Sequence, residues 1–257
     1  MCGIAARVEF RPDSGSAARL REGMARAIER LKLRGPDGSG MHFGESWGLG
    51  HTRLAIIDIA GGAQPWLDAA SSCALVYNGE IFNYQELNEQ LRAKGRLIKS
   101  RCDTETVLAA YLEWGEDCVK HFNGFFAFAI VDSAKRRLFA ARDRLGVKPL
   151  HYKLDNDGIS IASSVAAVLD CASAAKPEID YEALSHFLTT GRVSFGSKTL
   201  VKGVMALPPA HSLSASFDSG ETKISRYWSR PTLSPEEKAQ SAPSFKEAVE
   251  KTAALLD

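Results

Sequence analysis

Strand–turn–strand segments set the strongest constraint on how this chain folds. Residues 125–131 and 137–141 read as two strands around a turn at Asp132-Ser133-Ala134-Lys135. Residues 149–154 and 159–163 read as a second pair around Asn156-Asp157-Gly158. Hairpins pair antiparallel, and the helical segments grouped between them can then only cover sheet faces. The pattern predicts an α+β chain of stacked sheets covered by helices.

The other segments fit that plan. Residues 2–10 predict a strand, with Ile4, Ala6, Val8 and Phe10 on one side. Ser14-Gly15-Ser16 reads as a turn and helix cap, and residues 17–31 place Leu20, Met24, Ile28 and Leu31 on one helical face. Gly35-Pro36-Asp37-Gly38-Ser39-Gly40 reads as a loop. Residues 47–59 are strand-rich, and 73–77 predict a buried strand that ends in a tight turn at Asn78-Gly79. Helices are expected over 83–93, 103–114 (with Asp103 as cap) and 180–189. Residues 200–204, a turn at Pro208-Pro209 and 211–217 follow. The polar stretch from about 230 to 244 carries Pro231, Pro235 and Pro243 and reads as a linker. Residues 245–256 form one amphipathic helix, whose Phe245, Ala248, Val249, Ala253 and Leu256 either mark an interface or pack back on the domain.

Composition narrows the function classes. The net charge is +1, from 32 basic and 31 acidic residues, so no global field attracts nucleic acid or an anionic membrane. No apolar run approaches the ~20 residues of a membrane span, and the N-terminus lacks the pattern of a signal peptide. The cysteines at 2, 73, 102, 118 and 171 are odd in number, widely spaced and without CxxC, which predicts neither disulfides nor zinc. A reducing, cytoplasmic setting is the simplest expectation. The six histidines form no HxxxH pair, so no metal is expected.

The chemistry begins at Met1-Cys2-Gly3-Ile4. Initiator methionine is commonly trimmed before a small residue, which would give Cys2 both a thiol and a free α-amine. Such an amine titrates at about pH 7.7–8.0, suited to a general base near neutrality. Arg53, in Gly50-His51-Thr52-Arg53-Leu54, can grip an α-carboxylate with two parallel hydrogen bonds, or form an ordinary surface salt bridge. Asn78 and Gly79 offer a side-chain amide and a bare backbone N–H, either an oxyanion hole or a structural turn. Glu80 and Asp103 offer carboxylates for an α-ammonium, Asp103 serving equally as an N-cap. Together these suit attack on the side-chain carbonyl of a bound amino acid such as glutamine.

On these residues the chain resembles the class II, N-terminal-nucleophile glutamine amidotransferases, and among them the glutaminase domain of asparagine synthetase. The matching segments are MCGI at 1–4, RGPDGSG at 34–40, GHTRLAIID at 50–58, GAQP at 62–65 and YNGEIFNYQEL at 77–87. CDTE at 102–105, FNGFFAFAIVD at 122–132 and ARDRLGVKPLHY at 141–152 complete the set, which covers residues 1 to about 229. The resemblance implies a four-layer αββα sandwich. It implies Cys2 as nucleophile, Asn78 and Gly79 as oxyanion hole, and Arg53 as carboxylate clamp, with backbone contacts from Leu54, Ala55, Ile56 and Ile57. Glu80 and Asp103 would hold the ammonium, and Arg34 and Asp37 would order the loop over the thiol. Arg142, Asp143 and Lys148 are further candidates, either at an interface or as an internal network beside a turn.

The chain also departs from that family. It contains neither the SGGLDS-type loop of the ATP-dependent synthetase domain nor GxxxxGK[ST], so ATP binding is not expected. Ser164 and Ala166 stand where the family usually carries Glu and Lys near the domain interface. Cys102 replaces the common serine, as a passive small residue. The implied division is an amidotransferase domain over 1–229 and a linker with a C-terminal helix over 230–257. The implied activity is hydrolysis of L-glutamine, with ammonia passed to a separate ATP-dependent synthetase partner. The alternatives are a glutamine-sensing or scaffold subunit, a hydrolase of another γ-glutamyl amide, and a piece of a full-length synthetase.

Overall fold

A computed structural model describes residues 1–55, 62–68, 70–172, 176–192, 196–232, 234 and 243–255. Two antiparallel six-stranded sheets lie at its centre. The first contains β1 (Gly3–Glu9), β2 (Gly38–Phe43), β3 (Trp47–Arg53), β8 (His151–Leu154), β9 (Gly158–Ala162) and β10 (Met205–Ala206), in the order β10-β8-β9-β1-β3-β2. The second contains β4 (Trp66–Asp68), β5 (Cys73–Ile81), β6 (Gly124–Asp132), β7 (Arg137–Arg142), β11 (His211–Ser216) and β12 (Thr222–Arg226), in the order β12-β11-β7-β6-β5-β4. Both hairpins expected from sequence are present, as β6–β7 and β8–β9.

Side-chain alternation along the strands builds the layers. Ile4, Ala6 and Val8 of β1, Trp47 and Leu49 of β3, Ala74 and Val76 of β5, and Ala127, Ala129 and Val131 of β6 form one core between the sheets. The intervening residues face outward. Ala5 packs with Met24, Ala27, Ile28 and Leu31 of α1 (Ser16–Leu31) and Val168 of α4 (Val165–Cys171). Leu75, Tyr77 and Ile81 of β5 pack with Leu87 of α2 (Tyr84–Ala93) and Val107, Leu108 and Tyr111 of α3 (Asp103–Trp114). Three cores separate four layers, so the architecture is αββα. Fully burying a residue such as Leu49 or Val76 stabilises the fold by about 1.5–3 kcal/mol.

Several local expectations are corrected. β5 does not turn at Asn78-Gly79: the strand continues to Ile81, with Asn78 opposite Ala127 and Gly79 opposite Phe126. Pairing with β6 overrides the local turn preference. Gly38-Ser39-Gly40, read as loop, pair with Arg53, Thr52 and His51. The N-cap of α3 is Cys102, not Asp103, which is the first helical residue and uses its carboxylate elsewhere. Gly15 caps α1 without a side-chain bond. Residues 200–204 contribute an isolated bridge from Val201 to Ile179.

Asp180, expected as the first residue of its helix, instead caps α5 (Tyr181–Thr190) by accepting the Ala183 amide at 3.0 Å. Ser164, one of the departures from the family pattern, caps α4 by accepting from the Ala167 amide at 3.3 Å. α6 (Phe245–Ala254) starts at a Ser244–Glu247 capping box and buries none of its residues, so Phe245 and Val249 remain exposed. Ile56, Ile57, Gly61, Leu256 and most of the 230–244 stretch lie outside the described residues. Among the described residues, no helix is long and apolar enough to cross a membrane.

Candidate active site

The apolar stripes of the inter-sheet core become polar at one end of the sandwich. Cys2 continues the Ile4-Ala6-Val8 side of β1. His51 and Arg53 continue the Trp47-Leu49 side of β3. Asn78 and Glu80 continue the Ala74-Val76 side of β5, and Phe125 continues the Ala127-Ala129 side of β6. These residues line one cavity of about 200 Å³, together with Gln64, Asp103 and Lys148. Strand register, not sequence proximity, brings them together.

Cys2 sits beside the end of β3, because Gly3 pairs with Thr52. The Leu54 amide approaches the Cys2 sulfur at 3.4 Å, and the sulfur lies 3.7 Å from the Leu54 carbonyl oxygen. Arg34 donates through Nε to the Cys2 carbonyl at 3.3 Å. Asp37 accepts the Ala55 amide at 2.8 Å and donates its own amide to the Arg53 carbonyl at 2.9 Å. Arg34 and Asp37 therefore tie down the backbone around the thiol. The Ala55 N–H is engaged by Asp37, and Ala55, expected to contact the substrate, is not among the residues that line the cavity.

Asn78 is buried, and its side-chain Nδ2 has no hydrogen-bond partner among the described residues. An unmet buried amide donor costs about 1–3 kcal/mol, a cost relieved when a ligand oxygen arrives. Gly79 is required by packing: a Cβ there would lie 2.5 Å from the Phe125 carbonyl oxygen. Asp103 Oδ2 accepts the Tyr77 hydroxyl at 2.6 Å and the Ile81 amide at 3.0 Å. Burial, then the neighbouring Asp103 charge, holds the Tyr77 hydroxyl well above its ordinary pKa, so it remains a donor. Gln64 braces this corner, accepting the Tyr77 amide at 2.7 Å and reaching Thr104 Oγ1 at 3.4 Å.

Of the residues predicted from sequence, Cys2, Arg53, Leu54, Asn78, Gly79, Glu80 and Asp103 line the cavity. Ile56 and Ile57 lie outside the described residues. His51, Gln64 and Tyr77 also line the cavity, and sequence reasoning assigns them no role. Their signal was parity: His51 is two residues before Arg53 on one strand face. Burial pulls His51 down to about 4, partly offset by a bond to the Tyr77 backbone and reinforced by Arg53, so its ring is neutral near pH 7.

Comparison with known proteins identifies the family and the fold. A family model described as a glutamine amidotransferase domain matches residues 1–228. Asparagine synthetase (glutamine-hydrolyzing) 3 of Bacillus subtilis (strain 168) is 39% identical over 231 residues, covering 89% of this chain and 36% of that protein. Putative asparagine synthetase (glutamine-hydrolyzing) 2 of Methanocaldococcus jannaschii is 33% identical over 256 residues, covering 91% of this chain and 48% of that one. The chain thus spans less than half the length of these two relatives. In fold, it matches the solved glutamine phosphoribosylpyrophosphate amidotransferase from B. subtilis with a TM-score of 0.61 at 16% identity, over 91% of this chain and 50% of that one. With a matching domain model, the αββα sandwich and a cavity built around Cys2, the chain belongs to the glutamine amidotransferase domain family, as a class II member with the N-terminal-nucleophile hydrolase fold.

Proposed function

We propose that the chain hydrolyses L-glutamine to L-glutamate and ammonia, with Cys2 as nucleophile after removal of Met1. The observation that carries this reading is the unpartnered Asn78 Nδ2, buried in the same cavity as the Cys2 thiol. Arg53 grips the substrate α-carboxylate, assisted by backbone groups of residues 54–57. Glu80 and Asp103 receive the α-ammonium. The Cys2 sulfur attacks the side-chain carbonyl carbon, and the thiol proton passes to the Cys2 α-amine. The carbonyl oxygen, now negative, takes hydrogen bonds from Asn78 Nδ2 and the Gly79 N–H. The C–N bond then breaks, the nitrogen leaves as ammonia with the proton from the α-amine, and water hydrolyses the thioester. These steps involve only this chain's residues, glutamine and water.

Met1 is 54% exposed, which leaves it open to trimming. In this reading the protein works in a reducing cytoplasm, where the Cys2 thiol stays available as nucleophile. In this reading residues 1–229 form the catalytic unit and 230–257 a linker and helix. Ammonia passes to a separate ATP-dependent, asparagine-synthetase-like partner that amidates a carboxylate; the names of the curated relatives support only the coupling of glutamine hydrolysis to asparagine synthesis.

The test combines intact mass with glutamate release from glutamine, for the protein alone and with a candidate synthetase. The expected result is loss of Met1, glutamate release, and stimulation by the partner. Processed protein that releases no glutamate in either setting would overturn the reading.

A further inference from the structure

Lys148 reaches the cavity from a loop whose backbone is held by the side chains of Arg142 and Asp143. Asp143 is buried and accepts the amides of Leu145, Val147 and Lys148 at 3.1, 2.9 and 2.9 Å. Arg142 donates to the carbonyls of Gly146, Lys148 and Leu207 at 2.8, 2.8 and 2.7 Å. Gly146, at φ +69°, supplies the left-handed turn between them. The Arg142–Asp143 pair therefore works on backbone groups, and what it presents is the Lys148 side chain.

That side chain is 9% exposed and lines the same cavity as Cys2, Asn78 and Glu80. Its ammonium lies 4.5 Å from the centroid of the Phe125 ring. Among the described residues it forms no ion pair. Withdrawing a lysine from water without an ion-paired carboxylate is unfavourable, and its place in the fold makes sense where an anion forms beside it. Burial lowers its pKa, the charges of Cys2, Asp143 and Glu80 oppose that shift, and Arg34 adds to it.

We propose that Lys148 supplies the positive charge that stabilises the anionic reacting centre as Cys2 attacks the amide. This rests on the reading of Cys2 as nucleophile. As the S–C bond forms, the carbonyl π pair moves onto oxygen and the thiol proton passes to the α-amine. Lys148 keeps its protons and acts through its field. Asn78 and Gly79 donate the directional hydrogen bonds, and Lys148 adds a charge that, on a side chain withdrawn from bulk water, is screened less than one at the surface.

The test compares wild type with Lys148→Met, Lys148→Gln and Lys148→Arg. Two readouts are used: kcat and KM for glutamate release, and the rates at which iodoacetate and iodoacetamide alkylate Cys2, read from the mass of the N-terminal peptide. The Gln variant keeps a packing defect of the Met variant from deciding the outcome. In both neutral variants kcat is expected to fall about ten- to a hundred-fold with KM nearly unchanged, and Arg to restore part of the loss. The preference of Cys2 for anionic iodoacetate over neutral iodoacetamide should fall by roughly fivefold. Unchanged kcat, or a loss confined to KM, would overturn the role. An alkylation preference equal in all four proteins would also overturn it, whatever the turnover. Wild type that releases no glutamate, yet whose alkylation preference falls on neutralising Lys148, would overturn the glutaminase reading and uphold the charge at the sulfur.

Discussion

Tyr77 donates its hydroxyl to Asp103 Oδ2 at 2.6 Å, which locks the first residue of α3 onto the middle of β5. Tyr77→Phe removes only that donor and keeps the ring in the core against α3. A hydrogen bond to a charged group contributes about 1.5–3 kcal/mol, so urea denaturation should show a loss of that order, and KM for glutamine should rise. An unaltered denaturation midpoint would mean the bond contributes nothing net.

Asn78→Ala should lower kcat by about 10²–10³ with a smaller effect on KM, the loss expected for one oxyanion donor. Cys2→Ala should abolish glutamate release while leaving the thermal midpoint nearly unchanged, because Cys2 lies at the polar end of the sandwich outside all three apolar cores. Steady-state kinetics and a melting curve check both. Normal hydrolysis by the Cys2 variant would end the proposed mechanism.

Arg53→Ala should act on binding before chemistry. Losing charge-assisted bonds to a carboxylate costs about 1.5–3 kcal/mol, or roughly ten- to a hundred-fold in KM. Calorimetric titration of glutamine into the Cys2→Ala background isolates that term. Equal affinity with and without Arg53 would reassign the carboxylate site.

His51 should make the fold sensitive to acid. Its folded pKa is about 4, against an ordinary value near 6.5, chiefly through burial. Between those values the unfolded chain binds a proton that the folded chain refuses. Stability is therefore fully present above pH 6.5 and is lost as pH falls toward 4, by about 3 kcal/mol in all. His51→Gln should flatten this part of the stability–pH profile, measured by urea denaturation from pH 7 to 4. A parallel profile would show that His51 does not titrate in this way.

Much of the fold was legible because its hairpins and the α1 face carry strong periodicity; Leu20, Met24, Ile28 and Leu31 are buried as their spacing predicts. β12, Thr222-Lys223-Ile224-Ser225-Arg226, was not legible because it is a mostly exposed edge strand with one large apolar residue. β4 is too short to show a period. Asn78-Gly79 misled because a local turn preference is weaker than a nine-residue ladder with β6. At the site, residues with distinctive chemistry, such as Cys2, Arg53 and Asp103, could be named from sequence. The supporting roles of Gln64 and Tyr77 depend on contacts across 13 and 26 residues of chain, which no local pattern encodes.

The continuation of β5 through Asn78 and Glu80 gives the pocket a built-in ruler. The two side chains stand two residues apart on one strand face, about 6.8 Å along the chain. Pairing of Asn78 with Ala127 and of Glu80 with Phe125 fixes that interval. In the proposed roles, one mark measures the reacting carbonyl and the other the ammonium. A substrate shorter by one methylene would reach one mark and miss the other, so discrimination between homologous amides is set by the pitch of a β-strand.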